Sequence, residues 1–62
     1  MKLFIVGKYI DKTLWEFCGV FDKKDKAEFA CLTPNHFVGP AFLNRCLPSN
    51  VSNWPEAYYP KA

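Results

Sequence analysis

The pattern of apolar and polar residues predicts two strands at the start of the chain. Residues 2–10 are mostly β-branched, aromatic or aliphatic, which is typical of a strand. A polar break of hairpin length follows at 11–13, and residues 14–21 form a second strand, so the two strands are antiparallel neighbours. Simple alternation puts Trp15 and Phe17 on the same side of the second strand as Gly19 and Phe21. We expect Trp15 and Phe17 to belong to the core.

A helix is predicted over residues 23–32. Asp22 stands at the N-cap position, where its carboxylate can accept hydrogen bonds from the free amides of the first turn. Asp25 and Glu28 put negative charge near the positive end of the helix dipole. Pro34 ends the helix, because the residue before a proline resists the α conformation.

Two apolar side chains fall on the outer side of this helix. Ala27, Ala30 and Cys31 follow the i, i+3, i+4 rule and form a stripe of small residues that lets the helix lie close to a sheet. At about 100° per residue, Phe29 lies opposite this stripe, and Leu32 lies on the same outer side. Either the C-terminal tail covers this outer side, or it meets another chain.

The rest of the chain predicts a third strand over residues 41–47, after a short apolar segment at 36–40. Pro40 and Pro48 bracket this strand, which suggests an edge position because proline cannot donate to a ladder. The expected fold class is α+β: a small three-stranded antiparallel sheet (β-β-α-β) with one helix on one face. We expect a single domain over residues 1–62, with the β-β-α-β unit at 2–48 and an irregular, extended aromatic tail at 49–62.

The aromatic tail is the first candidate for a binding surface. Its segment from Trp54 to Pro60 combines three large rings with stiffening prolines, a combination typical of interface anchors. The alternative is intramolecular, because a β-β-α-β unit leaves one sheet face open for the tail to cover. The candidate interface residues are Phe29, Leu32, Trp54, Tyr58 and Tyr59.

Composition favours an assembly over an isolated monomer. The chain has 62 residues, of which 50% are hydrophobic and 18% aromatic. A domain of about 60 residues buries only about 60% of its unfolded surface and is marginal for that reason. Dense packing or a closed oligomer would offset this, so we expect a homodimer or a higher homo-oligomer.

Charge and cysteine content indicate a cytoplasmic protein without a membrane partner. The net charge is +2, which is too weak to argue for nucleic acid by itself. Only four apolar residues, Leu3 to Val6, run together near the start, too few for a secretory or spanning segment. The three cysteines are an odd number, so we interpret them as reduced, small, buried hydrophobes.

No arrangement of residues carries recognisable catalytic or metal chemistry. His36 is the only histidine, and no local signature pairs it with a cysteine nucleophile. A zinc site built from it and the three cysteines lacks the close ligand pairs that structural zinc sites normally show. We predict a protein that is not an enzyme and has no cofactor or metal.

One alternative function is the binding of single-stranded nucleic acid. Rings on a small sheet can stack bases while nearby lysines contact the backbone. The residues concerned are Phe4, Tyr9, Trp15, Phe17 and Phe37 with Lys2, Lys8, Lys12 and Arg45.

Several short motifs resemble those of short uncharacterised proteins encoded by bacteriophages. They are Gly19-Val20-Phe21-Asp22, Lys26-Ala27 with Cys31, Phe37-Val38-Gly39-Pro40, Trp54-Pro55 and Tyr58-Tyr59-Pro60. The resemblance covers most of the chain and names no activity. It implies a protein of the host-cell cytoplasm that binds and inhibits a host protein, as anti-CRISPR and other anti-defence proteins do.

Overall fold

Three strands and one helix occur in the order that the sequence predicts. A computed structural model describes residues 1–62 and confirms the small α+β fold with a three-stranded antiparallel sheet. The elements are β1 (Lys2–Asp11), β2 (Leu14–Phe21), α1 (Lys24–Ala30) and β3 (His36–Phe42), followed by one 3₁₀ turn (Val51–Asn53). The strand order is β2-β1-β3, so β1 is central, in line with its two apolar faces. No helix has the length and apolar content needed to cross a bilayer.

A bulge in β2 changes which of its side chains share a face. The register with β1 jumps at Cys18, which has no partner opposite it. One extra residue moves every later side chain to the other face of the sheet. Trp15 and Phe17 therefore face one side, and Gly19 and Phe21 the other. The prediction that all four share a side is wrong.

The helix is shorter than predicted and begins without a side-chain cap. Its N-cap is Lys23 and its helical residues are Lys24–Ala30. The expected cap, Asp22, precedes an extended residue, and its carboxylate lies 3.9 Å from the ammonium of Lys26 instead. Ala27 and Cys31 are fully buried, which confirms that the stripe of small residues faces the sheet.

The third strand lies five residues earlier than predicted. β3 pairs with β1 from His36 opposite Lys8 to Phe42 opposite Lys2. The predicted strand does not continue beyond Phe42, and Asn44 adopts a left-handed φ of 67° that is incompatible with an extended chain. The edge position is confirmed, with Pro40 inside the strand instead of at its start.

Two apolar clusters cover opposite faces of the sheet. The helix-side cluster consists of buried Val6, Ala27, Cys31 and Val38, with Phe4, Phe21, Ala30 and Tyr58 packed against them. The tail-side cluster consists of buried Ile5, Phe37 and Trp54, with Trp15, Ala41, Val51, Ala57 and Tyr59 packed against them. The sheet is therefore the middle layer between the helix and the C-terminal tail.

Candidate protein-binding surfaces

The tail docks on its own sheet through Trp54. This side chain is only 5% exposed, and its ring meets those of Phe37 and Trp15 edge-on, with centroids 5.6 and 5.5 Å away. The indole N–H donates a 2.8 Å hydrogen bond to the carbonyl of Pro40. The ring also lies so close to Gly39 that a β-carbon there would overlap it. Trp54 thus anchors the tail to β3.

Tyr58 extends the tail along the outer edge of β3. Its backbone exchanges two hydrogen bonds with Val38, of 2.8 and 3.0 Å. Its hydroxyl donates a 2.5 Å hydrogen bond to a carboxylate oxygen of Glu28, and the ammonium of Lys24 lies 5.2 Å from its ring centroid. Burial, followed by the bond to Glu28, raises the pKa of Tyr58 well above its ordinary value. Tyr58 therefore ties the tail to both the sheet and the helix.

Tyr59 points to the opposite face from Tyr58. Its ring is half-buried and meets that of Phe37 edge-on, 5.9 Å away. All three candidate rings of the tail, including Trp54, thus contact their own chain. Of the two alternatives for the tail, the structure adopts the one in which the tail covers the open sheet face.

Phe29 and Leu32 lie where the sequence predicts, on the outer side of α1 and just beyond its end. Their side chains are 88% and 79% exposed, and the tail does not cover them. An open groove beside Phe29 is lined by Phe21, Asp25, Lys26, Phe29 and Ala30. The five candidate interface residues therefore separate into two outward-facing side chains and three that pack within the chain.

Phe17 is the exposed ring that the sequence interpretation missed. It is assigned to the core from its alternation with Trp15, yet it is 56% exposed. Trp15 does pack against the tail-side cluster, as expected, and is half-buried. Phe17 differs because the tail reaches Trp15 through Trp54 but leaves the later half of β2 open. Val20, on the same half, is exposed as well.

His36 and the cysteines occupy separate positions. The Nδ1 of His36 accepts the N–H of Thr33 at 3.2 Å and lies 2.8 Å from its hydroxyl, which closes the loop before β3. Cys31 is buried, and burial raises the pKa of its thiol. Cys18 and Cys46 are exposed, so the expectation of three buried cysteines is wrong for these two. No group of three metal-binding side chains comes together.

Comparisons with known proteins identify no relative of this chain. No protein-family model, no curated protein and no solved structure matches this chain. The surfaces on which a partner would bind are its outward-facing apolar side chains and the two edges of its sheet.

Proposed function

We propose that this chain is a non-catalytic protein that binds a larger protein stoichiometrically through the outer face of α1. The observation that carries the proposal is the exposure of Phe29, at 88%, beside Leu32, at 79%. Full burial of such a side chain is worth about 1.5–3 kcal/mol. Docking on a partner is the way for these two side chains to gain that stabilisation, because no part of their own chain covers them.

The surroundings of Phe29 support this proposal. The groove beside its ring has apolar walls at Phe21 and Ala30 and charged groups at Asp25 and Lys26. Protein interfaces commonly combine an aromatic anchor at the centre with a polar rim. A partner with an apolar knob and complementary charges at its border would fit this groove.

The helix that carries Phe29 is held firmly in place. Ala27 and Cys31 seat it on the sheet, and the hydrogen bond from Tyr58 to Glu28 joins it to the tail. A side chain presented on a fixed backbone loses little conformational freedom on binding. The short helix therefore provides a pre-organised anchor.

The proposed target is a protein of a bacterial host, and the proposed action is inhibition by occlusion. This part of the proposal rests on the resemblance to short bacteriophage proteins. The corresponding location is the host cytoplasm, a reducing compartment that keeps thiols such as those of Cys18 and Cys46 free.

The alternative function, stacking of nucleic-acid bases on the sheet, requires exposed rings, and most of the rings concerned are buried or half-buried. Of the five rings that it requires, Phe37 is fully buried in the tail-side cluster, and Phe4, Tyr9 and Trp15 are half-buried. Only Phe17 is exposed. A stacking platform needs several neighbouring open rings, so nucleic-acid binding stays the second hypothesis.

The test is affinity capture from bacterial lysate, followed by titration with the purified captured protein. Wild type should bind one discrete protein in a 1:1 ratio of chains. Phe29→Ser should weaken binding about 30-fold, the effect of losing about 2 kcal/mol at an aromatic anchor. Phe42→Ser is the matched control, because Phe42 is also exposed but lies at the end of β3.

Two results would contradict the proposal. One is equal binding by Phe29→Ser and Phe42→Ser, which would place the anchor elsewhere. The other is capture of nucleic acid with an affinity that falls steeply between about 50 and 200 mM salt, as phosphate contacts require. An aromatic protein interface should respond little to salt over this range.

A further inference from the structure

We propose that a cleft between the first hairpin and the C-terminal tail binds a small organic anion that carries one carboxylate on an aromatic body. This goes beyond the proposed function, because the cleft lies on the tail side of the sheet, across from α1, and takes a small molecule instead of a protein. We call it the tyrosine cleft, after Tyr9 and Tyr59, which line it.

The tyrosine cleft has the size of a small-molecule site. Its volume is about 570 Å³, and clefts that bind small molecules typically have about 300–1,000 Å³. Its apolar walls are Val51, Trp54 and Ala57, all of which come from the tail. Tyr9 comes from β1, so the cleft joins distant parts of the chain. It exists because Trp54 holds the tail against the sheet.

Two tyrosine hydroxyls at this cleft have no partner in the chain. Of the three tyrosines, only Tyr58 uses its hydroxyl in a hydrogen bond within the chain. The side chains of Tyr9 and Tyr59 are half-buried, so their hydroxyls are left with the cleft and solvent. Burial, followed by the phenol of Tyr9, raises the pKa of Tyr59, so its hydroxyl stays protonated at neutral pH. Such an O–H donates strongly to an anionic oxygen.

The charge at the cleft matches a single negative charge. Lys12 is the one charged residue that lines it, and no acidic side chain does. The one ion pair of the chain joins Lys26 to Asp22, so the ammonium of Lys12 is unpaired. Asp11 adjoins Lys12 in the sequence, but its carboxylate accepts hydrogen bonds from the N–H and the hydroxyl of Thr13.

These groups favour an anion, and the number of charges favours a carboxylate. Two hydroxyls and one ammonium can donate to the oxygens of a ligand, whereas a cationic ligand would find no carboxylate in the cleft. A phosphate monoester carries about −1.5 to −2 charge at neutral pH, which exceeds the one charge of Lys12. A carboxylate carries one. An aromatic ring suits the remaining space, because it can meet the rings of Trp54 and Tyr59 edge-on.

The cleft is open to solvent on one side, which predicts weak binding. Lys12 and Ser52 at its border are exposed. Phenylacetate, with roughly ten non-hydrogen atoms, is a simple probe of the proposed chemistry, and we expect a Kd on the order of 1 mM. Affinity for a larger natural ligand should be higher, since the cleft exceeds the volume of this probe.

The test is a titration of the isotope-labelled full chain with phenylacetate, followed by NMR at low salt, where charge attraction is screened least. The amide signals of Tyr9, Lys12, Ala57 and Tyr59 should shift with one common Kd. Phenylacetamide has nearly the same shape without the charge. It should bind about 5-fold more weakly, because it lacks the charge-assisted contact with the ammonium.

Two variants identify the groups that bind the carboxylate. Lys12→Gln should weaken phenylacetate about 5-fold and leave phenylacetamide unchanged, because only the charged probe uses the ammonium. Tyr59→Phe should weaken phenylacetate about 5-fold through the loss of one hydrogen bond.

The matched controls are Lys8→Gln and Tyr58→Phe, which should bind phenylacetate as wild type does. Tyr58 packs on the helix side of the sheet, and Lys8 follows from Val6 to the same side by alternation along β1. Signals from the helix side of the sheet show whether each variant is folded.

Four results would overturn the proposal: no shifts at about 20 mM phenylacetate, shifts confined to other surfaces, equal binding of phenylacetamide, or binding that both variants leave unchanged. Tighter binding of phenyl phosphate than of phenylacetate would overturn the choice of a carboxylate. Failure here is distinguishable from failure of the proposed function, because Phe29→Ser tests the outer face of α1 and leaves the tyrosine cleft intact.

Discussion

The two edges of this small sheet differ in what covers them. The β3 edge has a proline, a backbone bridge to Tyr58 and the indole of Trp54 against it. The β2 edge has none of these and carries exposed apolar side chains on both faces. The tail covers the β3 side of the sheet and reaches Trp15 near the start of β2, so the part of the sheet that it leaves open is the later half of β2. In a domain this small, the position of the covering segment also determines the position of the open surface.

The largest effect should come from removing the anchor of the closed edge. Trp54→Ala leaves a cavity between the tail and Phe37, and such a change typically costs 3–5 kcal/mol. Because small domains have only about 5–15 kcal/mol of stability, we expect the variant to be largely or partly unfolded. Urea denaturation followed by circular dichroism measures the loss.

Trp54→Phe serves as the control for this prediction. It keeps an aromatic ring in place but loses the hydrogen bond to Pro40, so the expected cost is about 1 kcal/mol plus a smaller packing loss. A Trp54→Ala variant as stable as Trp54→Phe would show that the tail does not hold the closed edge.

A matched pair of glycine substitutions compares the two edges directly. A β-carbon at Gly39 would overlap the indole of Trp54, so Gly39→Ala should destabilise the domain by about 1–3 kcal/mol. A β-carbon at Gly19 in β2 would lie 3.1 Å from the tip of the Phe21 ring, which can shift slightly. Gly19→Ala should therefore change the unfolding free energy by less than about 0.5 kcal/mol. Equal losses in the two variants would contradict the contrast between the edges.

Burial of Tyr58, together with its bond to Glu28, should make the stability of the closed side depend on alkaline pH. The pKa of Tyr58 is raised in the folded state above its ordinary 10.0, so the folded state retains the phenol proton that the unfolded chain loses. This contribution is fully present below pH 10 and decreases as the pH rises above it. Tyr58→Phe should lose about 1 kcal/mol at pH 8 and show a shallower decline above pH 10.

Wild type and Tyr58→Phe share every other ionisable group, so the difference between their stability curves is the quantity to compare. Parallel curves for wild type and Tyr58→Phe from pH 8 to 11 would mean that the hydroxyl of Tyr58 is not held in the folded state.

The smallest effect on stability should come from the open edge. Val20→Lys changes a side chain that is 49% exposed and belongs to neither apolar cluster, so the unfolding free energy of the monomer should move by no more than about 0.5 kcal/mol. Denaturation at low micromolar concentration checks this value. A loss above about 2 kcal/mol would show that Val20 is part of the core and that the β2 edge is less open than described.

Local patterns were sufficient for the order of the elements and for one part of the surface. The first hairpin follows from apolar runs separated by Asp11, whose carboxylate accepts a hydrogen bond from the N–H of Thr13. The outward position of Phe29 and Leu32 follows from the helical period alone, and the structure confirms it. These features depend on residues close to one another along the chain.

The errors have a common physical origin in contacts between distant residues. Residues 36–42 become a strand because β1 supplies a partner for each of them, whereas residues 43–47, the rest of the predicted strand, have no such partner. The bulge at Cys18 changes the face of Phe21 without a proline or a special turn to mark it. The fold-back of the tail depends on the fit of Trp54 over Gly39, which no local pattern contains.

The position of Trp54 in the chain has a consequence during synthesis. Trp54 is translated 14 residues after Pro40, the residue whose carbonyl it binds. At about 5–20 residues per second, a ribosome takes about 1 to 3 s to add those residues. During that interval the three strands and the helix already exist as polypeptide, while Phe37 and the β3 edge have no cover. Any sheet that forms before Trp54 folds back therefore has two open edges.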